Sequence, residues 1–64
     1  MTGFLARTFG GVVLPLKVLH SAAGFYIGTF DDGPYSRESV EHWPNQDAAD
    51  QALATGNWTQ RTEP

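Results

Sequence analysis

The residues of this chain that could do chemistry are few and scattered. Ser21, Ser36 and Ser39 offer hydroxyls, and His20 and His42 offer imidazoles. Nucleophilic catalysis needs a nucleophile, a base and a group that orients the base. No nucleophile-elbow pattern surrounds any of the three serines. Two carboxylate pairs could share acid–base work, Asp31 with Asp32 and Glu38 with Glu41. The first pair lies in Asp31-Asp32-Gly33-Pro34, a composition that makes turns. That run lacks the later oxygen ligands of a calcium loop. No glycine-rich loop precedes a Lys-Ser or Lys-Thr to cradle phosphate. Gly10-Gly11 is an isolated pair and reads as a flexible point. There are no cysteines, and the two histidines are far apart, so no zinc site is expected. The expectation is a protein without metal, cofactor or enzymatic activity.

Binding is the chemistry left, and two surfaces compete for it. The first is aromatic. Tyr26, Phe30 and Tyr35 beside Lys17 and Arg37 would make a platform on which single-stranded bases could stack. The same rings could instead be covered by Phe4, Leu5 and Phe9 as a second small core. The other surface is an acidic rim. Asp31, Asp32, Glu38, Glu41, Asp47 and Asp50 surround Trp43, with Tyr35 and Arg37 nearby. Trp, Tyr and Arg are enriched among the residues that dominate protein interfaces. An acidic rim would dock on an arginine- and lysine-rich surface, gaining on-rate and specificity. Trp43 and Trp58 serve equally well as core residues. The net charge of −3 opposes nucleic acid, whose binders carry a basic patch. The rim is therefore favoured, and a protein partner with a basic surface is expected. Nucleic acid is the alternative.

These residues need elements to position them. Leu14 to Ser21 alternates with period two, which argues for a strand, and Pro15 suits its beginning. Ser21-Ala22-Ala23-Gly24 reads as a turn. Phe25 to Phe30 is rich in aromatic and β-branched residues, the strongest strand signal. Tyr35 to His42 forms a third strand after the Asp-rich turn. Pro44 ends it, Asn45 is a good N-cap, and Gln46 to Ala54 reads as a helix with Asp47 in its first turn. Ala48, Ala49, Ala52 and Leu53 share one helix face, and Gly56 suits the helix end. Asn57 to Thr62 is either a short fourth strand or a tail docked on the sheet. The fold expected is α+β: a three-stranded antiparallel sheet packed on one helix, in the order β-β-β-α.

Two four-residue turns would set Phe25 opposite His20 and Phe30 opposite Tyr35. One sheet face then carries Leu16, Val18, His20, Phe25, Ile27, Thr29 and Val40, with Glu38 as a misfit. This face suits the alanine face of the helix. The other carries Lys17, Leu19, Tyr26, Gly28, Phe30, Tyr35, Arg37 and Ser39.

With 64 residues the chain is read as one domain, residues 1–64, with 1–13 as a flexible or sheet-covering arm. Domains this small bury only about 60% of their unfolded surface. A homodimer or a partner is therefore one expected source of support. A hydrophobic fraction of 41% suffices for a core and argues against disorder. The longest apolar stretch, Val12 to Leu19, is interrupted by Pro15 and Lys17 and falls short of the ~20 residues that span a membrane. No signal-peptide pattern opens the chain. Cytoplasmic location, in a bacterial host cell, is expected.

The run Ser21 to Gly28, then Pro34-Tyr35-Ser36-Arg37-Glu38-Ser39, then Ala48-Ala49 with Ala52-Leu53, resembles small accessory proteins encoded by phages and prophages. The resemblance covers roughly residues 17 to 60. It implies a mobile-element setting, in which small acidic proteins include anti-CRISPR inhibitors that occupy basic surfaces of nuclease complexes. A small structural or assembly protein of the particle is another role it implies. The order of elements is also similar to the three-strand-plus-helix DNA-binding domains of phage integrases, from which the acidic charge departs.

Overall fold

The computed structural model describes all 64 residues. Three strands form one antiparallel meander in the order β1-β2-β3: β1 over Lys17–Ser21, β2 over Gly24–Phe30 and β3 over Pro34–Arg37. Two helices flank it, α1 over Phe4–Gly10 and α2 over Gln46–Thr55. The α+β class and the order β-β-β-α match the reading of the sequence. The N-terminal helix is an addition to it. No helix is long and apolar enough to cross a membrane.

β1 and β2 pair as the turn chemistry dictates. Ser21 faces Gly24, and His20 faces Phe25 with the two rings stacked at 4.1 Å and 5°. The Ser21 hydroxyl donates to the Gly24 carbonyl and accepts from the Ala23 N–H, which closes the hairpin locally.

The β2–β3 register holds at Gly28–Arg37 and Thr29–Ser36, then shifts, and Phe30 pairs with Pro34. Tyr35 therefore does not oppose Phe30. The loop is three residues, Asp31-Asp32-Gly33, not four. Asp32 and Gly33 take φ of 56° and 135° there, a combination that fits a short hairpin loop followed by an irregularity.

The third strand is also shorter than expected. After Arg37 the N–H groups of Glu38 and Ser39 both donate to the Ile27 carbonyl at 2.9 Å. Two residues opposite one is the signature of a β-bulge. It turns both side chains inward, and both are fully buried. The Ser39 hydroxyl accepts from the Ile27 N–H at 3.0 Å, so the bulge occupies both backbone groups of Ile27. The chain regains β2 only at Trp43, which exchanges two backbone bonds with Phe25. Val40, assigned by alternation to the aliphatic face, is instead 53% exposed. Of the two readings of Asn57 to Thr62, a short fourth strand or a docked tail, the strand amounts to one bridge between Ser39 and Gln60.

α2 forms for local reasons. The Asn45 carboxamide oxygen accepts from the Ala48 N–H at 2.8 Å, and Gly56 closes the helix at φ 73°. The helix lies against β1 and β2, with Ala49 and Ala52 buried. Ala48 and Leu53 are half-buried beside them. Its small side chains let the backbone approach closely.

The adjacent β2 residues Tyr26 and Ile27 are both buried, so the central strand is covered on both faces there. Tyr26 lies over Gly28, where an added Cβ would stand 3.0 Å from the ring and collide with the Ser36 carbonyl.

α1 was concealed in the stretch read as an arm. Leu5 and Ala6 are its buried residues, and it packs against β3. Gly11, read as a flexible point, is the left-handed residue at φ 69° that closes the helix: its N–H donates to the Arg7 carbonyl and the next N–H, of Val12, to the Ala6 carbonyl, both at 3.2 Å.

Candidate functional site

The unusual feature of α1 is its start. Its N-cap is Gly3, which has no side chain to accept a bond, so the N–H groups of the first turn need another acceptor. Glu38 supplies it from the β3 bulge. Oε1 accepts from the Leu5 N–H at 2.8 Å, and Oε2 from the Ala6 N–H at 3.1 Å. A glutamate more than thirty residues away thus caps this helix. Gly3 has to be small here, because a Cβ would come within 2.5 Å of Thr29 Cγ2 and 2.8 Å of Glu38 Oε2.

The remaining acceptor capacity of Glu38 is also used. Gln60 Nε2 donates to Oε1 at 2.8 Å, and the Ser36 hydroxyl donates to Oε2 at 2.5 Å. Ser36 has one hydroxyl proton, so Thr29 must be the donor in the 2.5 Å contact between their oxygens. A buried carboxylate is tolerated only when it is hydrogen-bonded. Burial pushes the Glu38 carboxyl up. The donors from Leu5, Ser36, Gln60 and Ala6 outweigh burial and hold its pKa below the ordinary value of 4.5. The aliphatic-face misfit is the polar centre of the molecule.

Glu38 also positions the C-terminal segment. Its carbonyl accepts from the Arg61 N–H at 2.7 Å, and Arg61 Nη1 donates to the Arg37 carbonyl at 2.9 Å. Arg61 is thereby set beside Arg37 at the mouth of an open groove between α1 and β3. The groove has a volume of about 320 Å³ and is lined by Leu5, Phe9, Tyr35, Ser36, Arg37 and Arg61 among others. Phe9 and Tyr35 are 56% and 44% exposed. Gly10 leaves room for the Tyr35 ring, which a Cβ would strike. This groove is the candidate site.

The residues expected to bind are distributed unevenly around it. Tyr35 and Arg37 line the groove. Of the acidic rim, Glu38 is inside the protein and no partner can touch it. Glu41 accepts the Thr59 N–H with both oxygens, at 2.9 and 3.1 Å. Burial raises its pKa, but that bond lowers it further, to a net value below the ordinary one. Trp43 is half-buried in its bridge to Phe25. Asp31 and Asp32 are exposed beyond the Phe30 end of β2, whereas Asp47 and Asp50 are exposed on α2, which opens just after Trp43 at the Phe25 end. A strand rises ~3.3 Å per residue, so the two pairs are anchored at positions roughly 17 Å apart along β2.

The aromatic platform is divided as well. Tyr26 is 7% exposed and tilted against His42 at 5.7 Å, which leaves no ring face for a base. Lys17 sits over the exposed Phe30 ring, 5.6 Å from its centre, as a separate cation–π pair. Leu5 and Phe9 were expected to cover these rings, and they do lie beside Tyr35; Arg61 was not expected at the site. The i, i+4 spacing of Leu5 and Phe9 is a helical signal that points to one face. Nothing in the sequence marks Arg61. No His, Asp and Glu side chains gather closely enough to hold a metal ion. Compared with protein-family models, curated proteins and solved structures, the chain matches none.

Proposed function

We propose that this protein is a non-enzymatic module that binds another protein through the groove between α1 and β3. One observation carries the reading. The chain has four basic residues, and two of them, Arg37 and Arg61, flank two open aromatic rings in a single groove. Aromatic side chains and arginine are the types that dominate binding energy when they meet in a pocket. They are held on a rigid base, since Glu38 ties α1, β3 and the C-terminal segment together. Pre-organised side chains lose less entropy on binding.

The test compares the proteins retained from a bacterial host lysate by the wild-type chain and by Tyr35→Ala/Arg37→Ala. Both residues are exposed, so the variant is expected to fold. A protein retained by the wild type and lost with the variant is the expected result. Identical retention by both, or none by either, overturns the reading. The accessory role implied by the phage resemblance belongs to the same proposal, with the protein acting in the host cytoplasm. Inhibition of a host defence nuclease would be measured as target cleavage by the purified nuclease complex with and without this protein. A second reading, single-stranded nucleic acid, draws on Tyr35 and Arg37 lying together with an open ring face. The same variant would then abolish a salt-dependent oligonucleotide affinity.

A further inference from the structure

We infer that the groove takes an acidic segment of the partner, a carboxylate-bearing side chain next to an apolar one. This inference rests on the protein-binding reading. The groove offers two kinds of contact side by side. Phe9 on α1 and the Tyr35 ring give an apolar wall over the buried Leu5, and Arg37 and Arg61 line the same groove. Arg61 Nη1 is held by the Arg37 carbonyl, which fixes the guanidinium in place and leaves its other N–H groups free. A guanidinium carries five N–H donors in a planar fork that matches a carboxylate in two parallel bonds. Two such forks beside an apolar wall select a carboxylate adjoining an aliphatic or aromatic side chain.

The charge of the rest of the molecule sharpens that choice. Net charge is −3 with Arg37 and Arg61 included, so the remaining surface is more negative still. Outside the groove an acidic segment meets a surface of net negative charge, and within it two neighbouring arginines. Specificity then comes from repulsion as well as contact. A basic segment would face two arginines in the groove and the net negative charge outside it.

The experiment uses the full chain labelled with ¹⁵N and two synthetic peptides, Gly-Asp-Leu-Asp-Phe-Gly and Gly-Asn-Leu-Asn-Phe-Gly. They differ only in charge. The acidic peptide is expected to shift the amide signals of Leu5 to Gly10 and Pro34-neighbouring residues Tyr35 to Arg37. It should bind at least about tenfold more tightly than the amide peptide, the range of a charge-assisted pair. Arg37→Gln, which removes an exposed side chain, should abolish that difference. So should salt near 1 M, where the screening length falls to ~3 Å. Equal binding of the two peptides in the groove overturns the acidic inference and leaves the protein-binding reading standing. Binding of neither peptide, with a lysate protein still retained in a Tyr35-dependent way, does the same. A single-stranded oligothymidine that shifts these amides when neither peptide does overturns both.

Discussion

Glu38 carries more of this structure than any other single residue. Removing its carboxylate strands two α1 N–H groups, the Ser36 hydroxyl and the Gln60 amide at once. Each unmet buried donor costs about 1–3 kcal/mol. Glu38→Ala should therefore lower stability by ~3 kcal/mol or more, measured by urea denaturation, and a loss under about 1 kcal/mol would contradict the capping role. The lowered pKa fixes a pH dependence. At neutral pH both folded and unfolded carboxyls are ionised, and the hydrogen-bonded state has its full advantage. As pH falls below the ordinary value of 4.5, the unfolded chain takes up the proton first, so stability declines toward the lower folded pKa. Glu41 contributes in the same direction. The melting temperature of the wild type should fall through this acid range. That of Glu38→Gln should be lower at pH 7 and should change less over the same range. An equal acid dependence in the two would show that Glu38 is not the group responsible.

At the scale of elements, the two helices are held in different ways. α2 has its own cap in Asn45, and Asn45→Ala should cost about 0.5–2 kcal/mol without moving other elements. α1 has no side-chain cap of its own and rests on the bulge. Gly3→Ala pushes a methyl into Thr29 and Glu38. Because Glu38 ties α1 to the sheet, the clash should destabilise both together, with the Leu5 and Ile27 amide signals lost at the same, lowered urea concentration. Loss of the Leu5 and Ala6 signals alone, with the His20–Phe25 contacts retained, would mean that α1 is a separate unit. Gly28→Ala strikes the Ser36 carbonyl between β2 and β3. Overpacking of this kind costs typically 1–3 kcal/mol, to be read from the same denaturation curves.

For the molecule as a whole, compactness is ordinary for its size. Its surface of 3971 Å² is close to the ~4,000 Å² of a compact 7.0 kDa monomer, and its radius of gyration of 10.7 Å is close to the ~11 Å expected of 64 residues. The expectation that so small a chain leans on a second copy is therefore not forced by loose packing. Eleven residues are buried, and polar Thr29, Glu38 and Ser39 are among them. A hydrogen-bonded cluster at the junction of sheet, α1 and C-terminal segment should make unfolding cooperative. Native-state hydrogen exchange is expected to show the Leu5 and Ile27 amides opening at the same free energy. Leu5 opening much more easily would assign α1 to a separate unit.

Short-range chemistry was legible in the residues alone. The Ser21–Gly24 turn set the β1–β2 register, Asn45 and Gly56 bounded α2, and its alanine face was visible from spacing alone. Alternation failed where the ladder is interrupted. It could not foresee that Glu38 and Ser39 would both turn inward, because a bulge breaks the period of two that places side chains on faces. Leu5 and Glu38 are 33 residues apart, and no local pattern announces a carboxylate that caps a distant helix. The candidate site depends on that contact. It takes α1 from one end of the chain and Arg61 from the other, and only the tertiary structure brings them to Tyr35 and Arg37. The acidic, cysteine-free character was legible from composition. Where the few basic residues gather was decided by the fold, because a buried carboxylate must be satisfied by donors from wherever the chain can supply them.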